Sequence, residues 1–371
     1  MYFQTQKLSV GYSGKVLIRD ISFSVEKGKI LSIIGPNGAG KSTILKTISR
    51  HLERIDGTVT LEKDSIFRLS NKELAKKLSV MLTERIDPDL MTCGQVVAMG
   101  RYPYTNNFGI LTAEDRAVVL EALRMVHAEN LEEHPFSNTS DGQRQRILLA
   151  RAICQQPQIM ILDEPTSYLD IRHKIELLDI LRNLASEKNV AIIMSLHEID
   201  LAAKISDQII CVKGDTIEDC GAPEEVFTGD FIKSLYDIES GSFNPLLGSV
   251  ELVAPQGKPD VFVLAGDGKG IPVYRQLQKN RLAFSTGILF ENDVDFQVAR
   301  ALSEFVVSAE AFNPVPDAKI KQAKTFIDQA RFFIDTGVKI GVYNRFCEEL
   351  LKYAKEHGKT VLSSAEELFG L

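Results

Sequence analysis

The spacing of hydrophobic positions changes character several times along this chain. Residues 3–10 and 16–25 alternate apolar with polar, as half-buried strands do, and Gly11 and Ser13-Gly14 mark a turn between them. Residues 29–34 form a short apolar run ending at Gly35. Residues 41–50 follow with helical spacing, and residues 57–62 read as a strand. Between residues 71 and 130 the apolar positions recur mostly at helical intervals (Leu74 and Leu78; Val96, Val97 and Met99; Val118, Val119, Leu123 and Val126), broken by Pro88 and by a loop at residues 101–107. Residues 140–213 then alternate, with helices over 143–154 and 171–187, strands over 158–162, 190–196 and 208–212, and a helix ending at Ile205. Apolar strands separated by helices predict a mostly parallel sheet covered on both faces, an α/β fold.

Residues 240–260 are rich in Gly, Pro and Ser and read as a boundary, giving domains at 1–240 and 241–371. A second α/β pattern follows, with strands over 261–265, 282–289, 304–309 and 331–334 and helices starting near Ile271, Val294 and Asp317. The composition, 44% hydrophobic and 25% charged, is that of a globular chain and excludes disorder. Lys plus Arg number 43 against 50 Asp plus Glu, so a nucleic-acid partner held through its phosphates is not expected. No apolar run is long enough to span a bilayer, and the first residues lack a signal-peptide core. Cys93, Cys154, Cys211, Cys220 and Cys347 are scattered, which fits reduced thiols rather than a zinc site or disulfides.

The candidate chemistry is concentrated at three places. Gly35-Pro36-Asn37-Gly38-Ala39-Gly40-Lys41-Ser42-Thr43 fits GxxxxGK[ST] between an apolar strand and a helix. Glycines let backbone N–H groups turn toward a phosphate, Lys41 supplies a cation, and the Ser42 hydroxyl suits Mg²⁺. A second apolar strand ends in Asp163-Glu164, where Asp163 suits Mg²⁺ and Glu164 suits a water that attacks the terminal phosphate. Ser140-Asp141-Gly142-Gln143 opens a long helix, whose dipole, Ser140 hydroxyl and Gly142 N–H favour an anion.

With these segments, roughly residues 1–240 resemble the ATP-binding subunits of ABC transporters. The resemblance implies a P-loop ABC ATPase domain, with ATP and Mg²⁺ as cofactors and a head-to-tail homodimer. In it Ser140, Asp141, Gly142 and Gln143 stand where an LSGGQ segment contacts the ATP of the other subunit. Thr139 and Asp141 depart from that segment's usual Leu and Gly. Tyr12 stands where an aromatic stacks on adenine, Asp170 ends a D-loop-like Ser167-Tyr168-Leu169-Asp170, and His197 stands at the switch histidine. The Gln that senses Mg²⁺ is missing; Thr83 aligns with it and Glu84 is adjacent, so the resemblance offers either as its replacement at the metal.

Residues 92–107 resemble the importer branch that takes up iron-siderophores, haem or cobalamin, where this segment lies against the permease. That implies a peripheral subunit on the cytoplasmic face of the inner membrane, partnered by integral-membrane permease subunits and a substrate-binding protein. The alternative is a soluble ABC-type ATPase with a ligand-sensing C-terminal domain and no link to transport. The start of that domain, a strand over 261–265 running into Gly266, Gly268 and Gly270, resembles a Rossmann-type unit. The expectation is a smaller accessory and regulatory domain, with an anion-binding turn at residues 266–270 and an acid, Glu291 or Asp293, ending its second strand.

Overall fold

A computed structural model of the chain describes residues 1–82, 88, 90–106, 109–245 and 248–370. The chain divides into two compact units, Met1–Phe231 and Ile232–Leu371. In the first, the alternating segments pair as an antiparallel sheet: Phe3–Tyr12 lies between Lys15–Val25 and Asp56–Leu61, with the short Asp64–Ser65 at the edge. The apolar runs form a six-stranded sheet. From one edge its strands are Thr216–Gly221, Gln208–Lys213, Ile30–Ile34, Ala191–Ser195, Ile159–Asp163 and Leu78–Met81. All neighbours are parallel except the first pair. Ile30–Ile34, Ala191–Ser195 and Ile159–Asp163 are buried at every position. A strand covered on both faces has no solvent side, which is why these segments read as unbroken apolar runs. One core joins the two sheets, with Phe3, Leu8 and Ile21 packed in the same cluster as Ile44, Ile161 and Ile193.

Helices Asn71–Lys77, Cys93–Ala98, Ala113–Met125 and Asp141–Cys154 each open with a reciprocal cap, from Ser70 with Glu73, Thr92 with Gln95, Thr112 with Asp115, and Ser140 with Gln143. Among the described residues no helix is long and apolar enough to cross a membrane.

The second unit is built on five parallel strands in the order Phe305–Ala309, Phe284–Phe290, Val261–Leu264, Phe332–Asp335, Thr360–Leu362. Numbered within the sheet that is 3-2-1-4-5, the doubly wound order. Alternate residues of the central strand face opposite cores. Val261 and Val263 pack with helices Gly270–Lys279 and Val294–Leu302, while Phe262 and Leu264 pack with Asp317–Gln329 and Phe346–Glu356. Strand Thr360–Leu362 was not expected; three residues are too few to show a period.

The Gly-, Pro- and Ser-rich segment is folded rather than an open linker. Ser242–Asn244 pairs with Ser249–Glu251 as a hairpin. The buried Glu251 carboxylate accepts from Arg275 at 3.0 Å, and Gln278 donates to the Leu252 carbonyl at 2.8 Å. The hairpin thus belongs with the second unit, while the cut between the compact units falls at Phe231, inside helix Gly229–Leu235 and a few residues before the boundary expected at residue 240.

Candidate functional site

Residues 35–40 join the buried strand Ile30–Ile34 to helix Lys41–Ile48. Glycine is required at both ends of this loop. A Cβ at Gly35 would lie 2.2 Å from the Val212 carbonyl oxygen. One at Gly40, where φ is +92°, would lie 2.7 Å from Ile18 Cδ1. Pro36, Asn37, Gly38 and Ala39 form the outer rim of the loop, and the Ala39 N–H donates to the Pro36 carbonyl at 3.2 Å. Lys41 folds back beneath the rim, its ammonium donating to the Gly35 and Pro36 carbonyls at 2.8 and 3.0 Å. Burial pulls its pKa down, and the charges of Glu164 and Asp163 oppose that. Thr43 Oγ1 lies 3.3 Å from the Tyr12 hydroxyl, whose ring stays half exposed at the edge of the loop.

Parallel pairing brings the acids to this loop. Strand Ala191–Ser195 separates Ile30–Ile34 from Ile159–Asp163, and Asp163 lies opposite Ser195 in register. Asp163 Oδ1 accepts from Ser42 at 3.0 Å and from Ser195 at 2.7 Å. The Glu164 N–H donates to the same Ser195 hydroxyl at 2.9 Å. Glu164 itself is left-handed, with φ 50°, which turns it off the strand line. Its Oε1 lies 2.5 Å from His197 Nε2, and its Oε2 accepts from Ser167 at 3.2 Å. Ser42, Asp163, Glu164 and His197 are therefore gathered at the carboxyl ends of three adjacent parallel strands, with the Lys41 cation alongside. Ser195 also belongs to this network, and the sequence reading passed over it.

The signature-like segment is held differently. Ser140 caps its own helix, accepting from the Gln143 N–H at 3.3 Å while Gln143 Oε1 accepts the Ser140 N–H at 3.0 Å. Asp141 is exposed in the first turn, where its charge suits the helix dipole. Gly142 faces Leu169, to which a Cβ would be 3.5 Å. Among the described residues no hydrogen bond links residues 140–143 to the phosphate loop. The Asp170 carboxylate caps helix Ile171–Lys188, accepting from the His173 N–H at 2.9 Å, a bond that lowers its pKa. Thr83 and Glu84 lie outside the described residues.

The family model described as ABC transporter matches residues 18–167, and a second, described as the MJ0874 family, matches residues 284–369. An uncharacterized ABC transporter ATP-binding protein of Methanocaldococcus jannaschii is 46% identical over 287 residues, 77% of this chain and 99% of its own. The chain belongs to the ABC transporter family. Its first unit is an ATP-binding cassette and an ATPase. An iron(3+)-hydroxamate import ATP-binding protein of Bacillus subtilis is 38% identical, covering 64% of this chain and 88% of its own. A cobalamin import ATP-binding protein of Halobacterium salinarum is 31% identical over 323 residues, 85% of this chain and 81% of its own. The fold is also that of the solved cassette MJ0796, a dimer bound to ADP and Pi; it has TM-score 0.54 and 24% identity, over 60% of this chain and 98% of that one.

In this cassette the segment at 92–106 is anchored through Arg101. Its guanidinium is buried, donating to Asp115 Oδ1 at 2.9 Å, the Cys154 carbonyl at 3.0 Å and Gln156 Oε1 at 2.9 Å. Hydrogen bonds from Thr112 and then Arg101 hold the Asp115 carboxyl below its usual pKa. Met99 and Tyr102, by contrast, are exposed.

The expected anion-binding turn at residues 266–270 is corrected by the structure. The N–H groups of Gly270 and Ile271, which open helix Gly270–Lys279, both donate at 3.0 Å to the carboxylate of buried Asp295. The place for an external anion is taken by an internal one.

Proposed function

We propose that the chain is the ATPase subunit of an importer for an iron chelate, haem or cobalamin, working on the cytoplasmic face of the inner membrane with a separate permease and a substrate-binding protein. The observation that carries hydrolysis is the hydrogen-bonded set Ser42, Asp163, Ser195, Glu164 and His197, with the Lys41 cation beside it. A hydroxyl and a carboxylate 3.0 Å apart are hard oxygen donors that fit Mg²⁺, so Ser42 and Asp163 would hold the ion, which supplies charge neutralisation on the phosphates. The Lys41 ammonium leaves the loop carbonyls for the phosphate oxygens. Glu164 orients and polarises the attacking water, and His197 steadies that carboxylate.

Dimerisation belongs to the same reading: residues 140–143 are bonded into their own helix and, among the described residues, make no hydrogen bond to this chain's phosphate loop, which leaves them to meet the phosphates of a second copy. The import reading is supported by the names of the relatives and by a loop that buries Arg101 while presenting Met99 and Tyr102 outward. Co-expression with its permease is the test. Membrane co-purification and transport-stimulated ATPase are expected. In Glu164→Gln, ATP should be bound but hardly hydrolysed, and the dimer should accumulate. A chain that never associates with the permease would instead support a soluble ATPase with a ligand-sensing C-terminal domain.

A further inference from the structure

We propose that the second unit binds a small zwitterion with an apolar side chain, an α-amino acid by chemical class, in the crevice between the loops that follow Val261–Leu264 and Phe332–Asp335. Topology sets the position. These two strands are neighbours where the strand order reverses, so the loops leaving their carboxyl ends part from each other. A cavity of about 290 Å³ lies there, bounded by Asp267 on one side and by Val338 and Lys339 on the other. That is just below the roughly 300–1,000 Å³ of sites for drug-sized molecules, and it suits neither a dinucleotide nor a tetrapyrrole.

The surrounding bonds disfavour the phosphate that a glycine turn at this place ordinarily holds. A phosphate at the start of helix Gly270–Lys279 would meet N–H groups already given to Asp295, together with that buried carboxylate. Of the two acids after the second strand, Asp293 is spent on bracing the turn, accepting the Asp267 N–H at 3.0 Å and the Asp295 N–H at 2.9 Å, while Glu291 is exposed and does not line the cavity.

What remains is an apolar floor with the braced Asp293 at its side and two exposed charges, Asp267 and Lys339, at its mouth. Ile288, Phe290 and Phe346 form the floor, and the two rings meet edge to face at 6.1 Å. The Asp267 carboxylate and the Lys339 ammonium are exposed, and among the described residues neither has a hydrogen-bond or ion-pair partner. Both stand on braced backbone. The Asp267 N–H is held by Asp293, the Lys339 carbonyl accepts from Asn344 at 2.9 Å, and the Lys269 ammonium ties the second loop through the Gly337 carbonyl. An amino acid satisfies all three features at once: its ammonium on Asp267, its carboxylate on Lys339, and its side chain on the floor.

Calorimetric titration of the full chain with L-leucine, L-methionine and L-phenylalanine tests this. At least one should bind saturably, one per chain. The leucine analogues 4-methylpentanoate and 3-methylbutylamine, which keep one charge each, should bind about tenfold or more weakly. Asp267→Asn and Lys339→Met should each weaken the amino acid by a similar factor while ATP binding stays unchanged. Val338→Trp, which narrows the crevice without touching either charge, should also reduce it. Three results overturn the proposal: no binding by any of the three amino acids, undiminished binding in both charge variants, or displacement of the amino acid by inorganic phosphate or NAD.

Discussion

Removing the Ser195 hydroxyl takes a donor from Asp163 Oδ1 and an acceptor from the Glu164 N–H, while leaving the loop around Lys41 intact. Hydrogen bonds to charged groups contribute about 1.5–3 kcal/mol, so the turnover of Ser195→Ala should fall roughly tenfold or more with ATP affinity nearly unchanged. Its Mg²⁺ requirement should rise, because Asp163 loses the bond that aims it at Ser42. Ser195→Thr, which keeps the hydroxyl, should recover much of the rate. Steady-state kinetics across a Mg²⁺ titration would show this, and a Ser195→Ala enzyme with unaltered turnover and Mg²⁺ dependence would leave Ser195 no part in positioning. The difference between what could and could not be read in the sequence lies in where the chemistry is encoded. Ser42 and Asp163-Glu164 are legible because their motifs are contiguous and stand at the ends of apolar runs. Ser195 reaches Asp163 from 32 positions away, and a serine closing a buried strand looks like any strand residue. Asp295 was hidden in the same way, since its partners Gly270 and Ile271 lie across a strand and a turn.

At the level of elements, helices and strands were largely visible in the spacing, while the loops between them kept their roles concealed. The segment that resembles a permease contact begins as a sequence of exposed-looking residues, yet Arg101 is 5% exposed and binds Asp115, a carbonyl and an amide. Arg101→Ala would leave Asp115 buried without its cation, which costs about 3–5 kcal/mol for an interior pair. Chemical denaturation should show that loss, whereas Tyr102→Ala should leave stability unchanged and weaken only the proposed association with a permease. In the second unit Asp295 sets the opposite kind of dependence. Burial, its largest influence, raises its pKa above the ordinary 3.8, despite the N–H groups that favour the charged form. The folded state therefore holds this proton more tightly than the unfolded one. That contribution to stability is fully present below 3.8 and is lost as pH rises through the raised value. Wild type should gain stability relative to Asp295→Asn as pH falls through that window. Thermal unfolding of the two proteins at matched pH values would detect it, and a difference independent of pH would mean that Asp295 titrates as it does in the unfolded chain.

Across the whole molecule, the position of the division between units decides what a truncation removes. Composition placed the boundary in residues 240–260, because a run rich in Gly, Pro and Ser resembles a linker whether or not its backbone is paired. In the structure that run forms the hairpin Ser242–Asn244 with Ser249–Glu251, and it is fastened to the second unit by Glu251 with Arg275 and by Asn244 Nδ2 donating to the Gln297 carbonyl at 3.3 Å. Each unit has its own sheet and its own cores, which is what independent folding requires. A chain ending at residue 240, past helix Gly229–Leu235, should accordingly retain ATP binding and hydrolysis. A fragment of residues 241–371, which keeps the whole hairpin, should melt cooperatively by itself. A fragment that starts at residue 246, within the range composition suggested, would lack the strand Ser242–Asn244 and leave the edge of Ser249–Glu251 unpaired. Losing a strand's hydrogen bonds and the burial of Phe243, 7% exposed in the structure, should cost a few kcal/mol and lower the midpoint of unfolding by several degrees. Melting curves of the two fragments decide the point: equal midpoints would show that the hairpin adds nothing to the second unit, whose independent fold would then begin later in the 240–260 run.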